Sequence, residues 1–326
     1  MDNVELLLKE ILLEIRDLKL EVKELKLKLN ENSKPLEQKP LEYKIVNIEK
    51  KVNLSEKNET SKKETSDDLV IKYQDSECIR NIEKFLNSKN IKIKTKKEDT
   101  ILFEDNLSKL ANFIGKNYEN VKEFVHKLKI DNTKSSGFSM NLKEYSSKKV
   151  SDINQLAKWL YDIGFLENYT YKKSPNFLLF AKLNRIPKAI NFILGGWMEI
   201  YIRNVILKNL YVNKLNGCYI KNYQITLPNE KDFELDLVFK TGDDFFWFET
   251  KTGDYQQHIQ KYSDFYKMIN LSKERAFLVL SDMTQEGADI LSDMYEMKVV
   301  RLENFEDEFK KSIGVVDEGV FDSTEV

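Results

Sequence analysis

The sequence predicts an α/β protein with a mixed central sheet, preceded by helical segments. Three observations predict it. A heptad of apolar residues opens the chain, short helical patterns and a hairpin run to residue 186, and from 187 the signals follow the order αβββαβαβ. The 326 residues hold one large domain or two smaller ones with extensions. With 41% hydrophobic and 33% charged residues, a globular core is expected beside an unusually polar segment.

Residues 1–31 form the expected coiled coil. Val4, Leu8, Ile11, Ile15, Leu18, Val22, Leu25 and Leu29 alternate spacings of four and three, which keeps them on one helical seam. Ile15 and Val22 at a, with Leu18 and Leu25 at d, favour a parallel homodimer or a higher homo-oligomer. Glu14 meets Lys19, and Glu21 meets Lys26, across two parallel chains. Leu6, Leu13, Leu20 and Leu27 repeat at f, where a second surface could dock. A lone amphipathic helix packed on its own domain has the same spacing, but the unbroken repeat favours assembly. Residues 32–68 are mostly Lys, Glu, Ser and Asn and read as a polar linker.

Residues 69–186 read as a helical module. Cys78 to Leu86 is a short helix. Leu107, Leu110, Phe113 and Ile114 mark a second, and Val121, Phe124, Val125 and Leu128 a third. A fourth, from Gln155, ends near Gly164. Tyr169 to Phe180 then reads as two strands around Lys-Ser-Pro-Asn. Helices followed by a small β-wing predict a winged-helix-like module. Met140 to Ile190 holds nine Lys/Arg against four Asp/Glu, so Lys172 and Lys173 are candidate substrate contacts. Winged helices also serve as spacers between proteins, and both readings stand at this point.

Residues 187–302 give the sharpest pattern. Pro187 opens a helix that runs to about Val212. Strands follow near 218–227, 233–240 and 245–251, then a helix at 255–270 with Tyr255, Ile259, Tyr262 and Ile269 on one face. Arg275 to Leu280 is a near-continuous apolar strand, followed by a helix near 285–295 and a strand near 297–302. Residues 303–326 read as an acidic tail that frays.

The charge balance of −2 excludes a uniformly basic nucleic-acid binder. The two cysteines, Cys78 and Cys218, are too few for a disulfide scaffold and fit a reducing cytoplasm. The two histidines, His126 and His258, argue against a Cys/His zinc site. His258 could assist as a base, but a lone histidine on a helix is usually structural. No apolar run is long enough for a membrane span, and the first residues lack a signal-peptide pattern. A cytoplasmic protein with no membrane partner is expected.

The chemistry concentrates in ELDLVFKTGDDFFWFETKTGD, from Glu234 to Asp254. A turn at Gly242-Asp243 pairs Thr241 with Asp244 and sets Asp236 across from Glu249, and Glu234 across from Lys251. Leu235, Leu237, Phe239, Phe246 and Phe248 then share the reverse face. Facing carboxylates repel, and a divalent cation between them reverses that interaction. Oxygen ligands suit Mg²⁺ or Mn²⁺. The Thr250 carbonyl is a further candidate ligand, and Glu199, on an apolar helix face, needs a partner. Lys251, on the face of Glu249, would orient a water or stabilise a phosphoryl transition state. An isolated E-x-K arises often by chance and then means a weak surface ion pair.

The set is similar to the PD-(D/E)XK nucleases. Asp236 matches the first acid of their αβββαβ core, Glu249-Thr-Lys251 matches E-x-K, and Glu199 matches the acid many members carry on the preceding helix. The proline is absent, since Glu234-Leu235 precedes Asp236. Gly195-Gly196-Trp-Met-Glu199, Glu234-Leu-Asp236 and Glu249-Thr-Lys-Thr-Gly253 together resemble the nuclease and winged-helix parts of CARF-linked CRISPR ancillary nucleases, over about residues 100–302. That resemblance implies a restriction-endonuclease-like fold and a metal-dependent endonuclease cutting DNA and possibly RNA, in defence against phage or plasmids. It implies Asp236, Glu249 and Lys251 as catalytic residues, and Asp236, Glu249, Thr250 and Glu199 around the metal. Gln257 and Lys261, on the next helix, are candidate phosphate contacts. In that family a cyclic oligoadenylate releases activity through a sensor domain. Here a heptad and a linker fill that place, so such a ligand is not expected to be needed. The alternative is a dimeric DNA-binding or scaffold protein that keeps the fold without turnover.

Overall fold

Asp75 starts the first helix by accepting the Cys78 amide at 2.7 Å, which satisfies an amide the helix leaves unpaired. This is α1 (Ser76–Ser88), whose Ile82 and Leu86 are buried one turn apart. The computed structural model of the chain describes residues 69–70, 72–95 and 104–315, all within the unit 63–326. The heptad of 1–31, the linker of 32–68 and the end of the tail lie outside the described residues.

Cys78 of α1 is joined to Cys218, with the two Cα atoms 5.9 Å apart. The expectation of two reduced cysteines is therefore corrected. A separation of 140 residues hides the pairing from the sequence; packing of α1 on the sheet creates it. After α1 comes β1 (Lys92–Thr95), a short edge strand with too few residues to show a period.

Two helices follow, α2 (Glu104–Lys116) and α3 (Tyr118–Lys134), then β2 (Phe138–Asn141), α4 (Ser147–Asp162), β3 (Leu166–Lys172) and β4 (Leu178–Leu183). The strands form an antiparallel sheet in the order β2-β4-β3, with the expected hairpin turning at 173–177. Asp131 of α3 fixes this wing to the helices. Its carboxylate is buried and accepts the amides of Gly137 and Leu183 at 2.7 and 2.9 Å, so the cost of burying it is offset.

The helix expected from Pro187 to Val212 is interrupted. It consists of α5 (Pro187–Asn191), a π-helical turn at Phe192–Gly196, and α6 (Trp197–Val212). Such turns re-aim a helix by inserting a residue into its ladder. The sheet follows: β5 (Gly217–Thr226), β6 (Asp232–Thr241), β7 (Asp244–Lys251), α7 (Ile259–Met268), β8 (Ala276–Leu280), α8 (Gln285–Tyr295), β9 (Lys298–Arg301) and α9 (Phe305–Ser312). The order αβββαβαβ matches the expectation, although α7 starts four residues late.

The six strands lie in the order β1-β5-β6-β7-β8-β9. Pairing is antiparallel from β1 to β7 and parallel from β7 to β9, so the sheet is mixed. One buried cluster joins α6 and α9 to Phe246, Phe248 and Phe277, and continues without a break into α2, α3, α4 and the wing. Gly115 of α2 permits close approach there, because a Cβ would sit 2.4 Å from the Tyr201 ring. The second cluster lies on the opposite face, under α1, α7 and α8.

Two expectations change with this packing. Phe305 and Phe309 of α9 are buried in the first cluster, so the chain after Leu302 does not fray at once. Leu235 does not share a face with Leu237. It packs with Trp247 and Val238 in the second cluster, while Leu237, Phe239, Phe246 and Phe248 face α6. The pairing of β5 with β6 explains the flip. Lys221 pairs with Leu237 and Tyr223 with Leu235, but the residues between, Asn222 and Asp236, drop out of the ladder. Asn222 takes a φ of +53°, a left-handed conformation that turns the strand.

Candidate active site

The ladder between β6 and β7 holds from Thr241–Asp244 to Leu237–Phe248, the register the Gly242-Asp243 turn imposes. At the next position it opens. The Asp236 carboxylate takes over the ladder's role, accepting the Thr250 amide at 3.0 Å and the Thr250 hydroxyl at 3.4 Å. Asp236 and Glu249 are 8% and 3% exposed, so two carboxylates sit side by side with almost no water to screen them.

Lys251 answers that repulsion. Its ammonium lies 2.8 Å from Glu249 Oε1 and 4.0 Å from Asp236 Oδ2. Burial alone would lower its pKa, but Glu249 and Asp236 outweigh burial and hold it above the usual lysine value. Burial, followed by the Asp236 charge, pushes Glu249 up to about 8. Burial also raises Asp236. The Glu249 Oε2 atom is buried and accepts no hydrogen bond. An orphaned carboxylate oxygen of this kind marks a place where a cation or donor belongs.

Glu199 enters from the first turn of α6, directly after the π-helical turn. Burial, then the Asp236 charge, raises it to about 7. It lines a cleft of about 520 Å³ with Gly195, Gly196, Lys221 and Glu234. Among the described residues no three His, Cys, Asp or Glu side chains stand close enough to enclose an ion. Asp236, Glu249 and Lys251 are thus brought together, with Glu199 near them and not in the same cage. Glu234, expected across from Lys251, lines the Glu199 cleft.

The other candidates fall elsewhere. Gln257 precedes α7, is exposed, and its amide lies 3.4 Å from Asp254. The Lys261 ammonium lies 4.3 Å from the centre of the Phe233 ring and lines a separate cleft. Lys172 and Lys173 are at the exposed tip of the wing. His258 is exposed at the start of α7.

Residues that the motif did not point to complete the surroundings. The Tyr262 side chain of α7 adjoins both Glu249 and Lys251, and the Lys251 ammonium lies 5.5 Å from its ring centre. A tyrosine on the buried face of the 255–270 helix was the available signal, because a buried hydroxyl needs a polar neighbour. Just past Lys251, the Thr252 hydroxyl donates to the Leu194 carbonyl at 2.7 Å, while the Thr252 carbonyl accepts Lys129 of α3 at 2.6 Å. The loop after E-x-K is therefore gripped from both sides. No sequence spacing discloses bonds across 58 and 123 residues.

One solved structure is similar in fold. Protein VC1899 from Vibrio cholerae aligns with a TM-score of 0.50 and 15% identity, over 71% of this chain and 60% of its own. The likeness is one of fold. Can2 from Sulfobacillus thermosulfidooxidans, solved in complex with cyclic tetra-adenylate (cA4), aligns with a TM-score of 0.49 and 14% identity, over 71% of this chain and 61% of its own. The chain thus spans about three fifths of the length of either protein. No family model and no curated protein matches the sequence. No helix among the described residues is long and apolar enough to cross a membrane.

Proposed function

We propose that the chain is a metal-dependent nuclease that hydrolyses phosphodiester bonds of DNA and possibly RNA. The observation that carries this reading is the buried Asp236–Lys251–Glu249 cluster at the open end of the β6–β7 ladder. A scaffold would gain stability by replacing three such charges with packed apolar residues. A nuclease needs them.

The donor set fits a hard divalent cation. Asp236 and Glu249 offer carboxylate oxygens, the Glu249 Oε2 atom has no partner, and Glu199 stands beside them. Mg²⁺ or Mn²⁺ would be held by Asp236 and Glu249 with the Thr250 carbonyl, and Glu199, outside that cage, would act as an outer ligand. Bound there, it supplies charge for the phosphoryl oxygens and an acidified water.

The chain's own residues do the rest. Lys251 stays protonated because two carboxylates flank it, so it serves as a fixed cation and donor near the scissile phosphate and not as a base. Tyr262 holds the Lys251–Glu249 pair in place from α7. Thr250 fixes Asp236 through its amide and hydroxyl. The heptad of residues 1–31 would pair two such chains, giving a homodimer or a higher homo-oligomer.

The reading is tested by incubating the whole chain with supercoiled plasmid and with labelled RNA, in Mn²⁺ or in EDTA. Cleavage confined to Mn²⁺ supports it. Equal products in EDTA, or none in either, refute it.

A further inference from the structure

One cleft among the described residues lies apart from the Asp236–Glu249 carboxylates. It measures about 1010 Å³ and lies between the α2–α3 corner and the loops that follow β7, β8 and β9. A second cleft, about 650 Å³, shares Tyr118, Lys122, Tyr255, Gln256 and Asp282 with the first and continues along α3 to Ile130. From Tyr118 to Ile130 the helix runs ~18 Å at 1.5 Å per residue, room for a short stretch of chain. Open α/β sheets bind their ligands beyond the carboxyl ends of parallel strands, and β7, β8 and β9 end here.

The groove borders the candidate active site through one residue. Thr252 follows Lys251 directly, and its carbonyl accepts the Lys129 ammonium at 2.6 Å. That bond is the one hydrogen bond of this ammonium among the described residues. Burial lowers the Lys129 pKa, and the nearby Asp282 carboxylate offsets that only in part, so the side chain holds a charge poorly solvated by water. Lys116 and Lys148 line the first cleft without an ionic partner among the described residues.

The acids of the groove are already engaged. Glu119 pairs with Lys122 at 2.8 Å and Glu303 with Arg301. Asp282 accepts Tyr118 at 2.7 Å and Ser281 at 2.9 Å. Glu123 pairs with Lys149 at 2.9 Å, and Asp254 accepts the Gln256 amide at 3.0 Å. What remains are the Lys116 and Lys148 ammonium groups of the first cleft and, at the end of the E-x-K strand, Lys129 with Asp282 nearby. A polyanion fits these cations.

We propose that a nucleic-acid strand lies in this groove, with Lys129, Lys116 and Lys148 contacting its phosphates, so that α2, α3 and the start of α4 hold the substrate and the wing does not. The proposal rests on the nuclease reading for the identity of the substrate and extends it to the strand's path. Lys129 also acts as a positioning residue, since it holds the backbone directly after Lys251.

The test is binding without turnover. Fluorescence anisotropy of the whole chain, in EDTA and over a salt series, is measured with a fluorescein-labelled single strand of DNA, its RNA counterpart and a duplex. The Lys116→Ala/Lys148→Ala double variant should bind at least fivefold more weakly. Its plot of log affinity against log salt should be shallower by about 1.4, because each phosphate that a lysine neutralises on a single strand adds about 0.7 to the slope. Lys129→Ala should weaken binding and, with Mn²⁺, raise KM, whereas Lys129→Arg should restore both by keeping the cation and its donors. Unchanged affinity and slope in the double variant overturn the proposal. So does loss of binding in Lys172→Ala/Lys173→Ala alone, or a parent chain that binds no nucleic acid. If binding behaves as expected but no variant or parent cuts with Mn²⁺, the groove stands and the nuclease reading falls.

Discussion

Lys251 sits between two buried carboxylates and supports a packing arrangement that would otherwise repel itself. Removing it leaves Asp236 and Glu249 unmatched. Lys251→Ala should therefore lower thermal stability in EDTA at pH 8, by about 3 kcal/mol as for other broken buried pairs. The loss should shrink at pH 5, well below the Glu249 pKa of about 8, where that carboxylate holds a proton. The parent chain should show a related trend. Glu199 and Glu249 have folded pKa values of about 7 and about 8, above the ordinary 4.5, so the folded state binds more protons across that window. Stability in EDTA should accordingly fall as pH rises from 5 to 8. Mn²⁺ should restore more stability at pH 8 than at pH 5, because protons compete for the same oxygens. Differential scanning fluorimetry reads both, and a flat pH profile would contradict the buried cluster. That Asp236, Glu249 and Lys251 come close together was legible because the Gly242-Asp243 turn fixes the β6–β7 register as far as Leu237–Phe248. Tyr262, Thr252 and Lys129 were not legible, since their meaning depends on which elements pack together.

At the scale of elements, the strand–helix order was legible and the interruptions were not. The Gly242-Asp243 turn fixed the β6–β7 register through Leu237–Phe248. The flip at Asp236 escaped notice because it depends on the left-handed Asn222 of the neighbouring strand. The π-helical turn at Phe192–Gly196 has a helical composition, and β1 is only four residues long. The α9 segment FEDEFKKS reads as a charged tail, yet Phe305 and Phe309 are buried against Phe248. Phe309→Ala should cost roughly 3–5 kcal/mol in urea unfolding, as for other buried phenylalanines. A loss near zero would mean that α9 does not belong to the core. Reducing Cys78–Cys218 should lower stability by about 2–4 kcal/mol, because the bond closes a long loop in the unfolded chain. Equal melting with and without reductant would contradict that linkage.

Over the whole molecule, the alternation of elements predicted the α/β class with a mixed sheet. The unbroken core from the wing to α9 was not legible, because packing between modules leaves no local period. The proposed pairing through the heptad can be tested. One site cuts one phosphodiester, so two sites held together by residues 1–31 would break both strands of a duplex, with the linker setting their effective concentration. Deleting 1–31, or placing Asp at Ile15 and Leu18, should shift the chain toward monomer in light scattering. It should also change the plasmid product from linear to nicked. A truncated chain of unchanged size would remove the heptad from assembly. A monomer that linearises plasmid at the parent's rate would separate assembly from cleavage.

The central claim is that Asp236, Glu249 and Lys251 form a metal-dependent phosphodiesterase site. It is tested most directly by supercoiled-plasmid cleavage in Mn²⁺ by the parent and by Asp236→Ala, Glu249→Ala and Lys251→Ala, with circular dichroism to show that each is folded. The account predicts cleavage by the parent that EDTA abolishes, none by the three variants, and a reduced rate in Glu199→Ala. Full activity in folded Glu249→Ala or Lys251→Ala would contradict it.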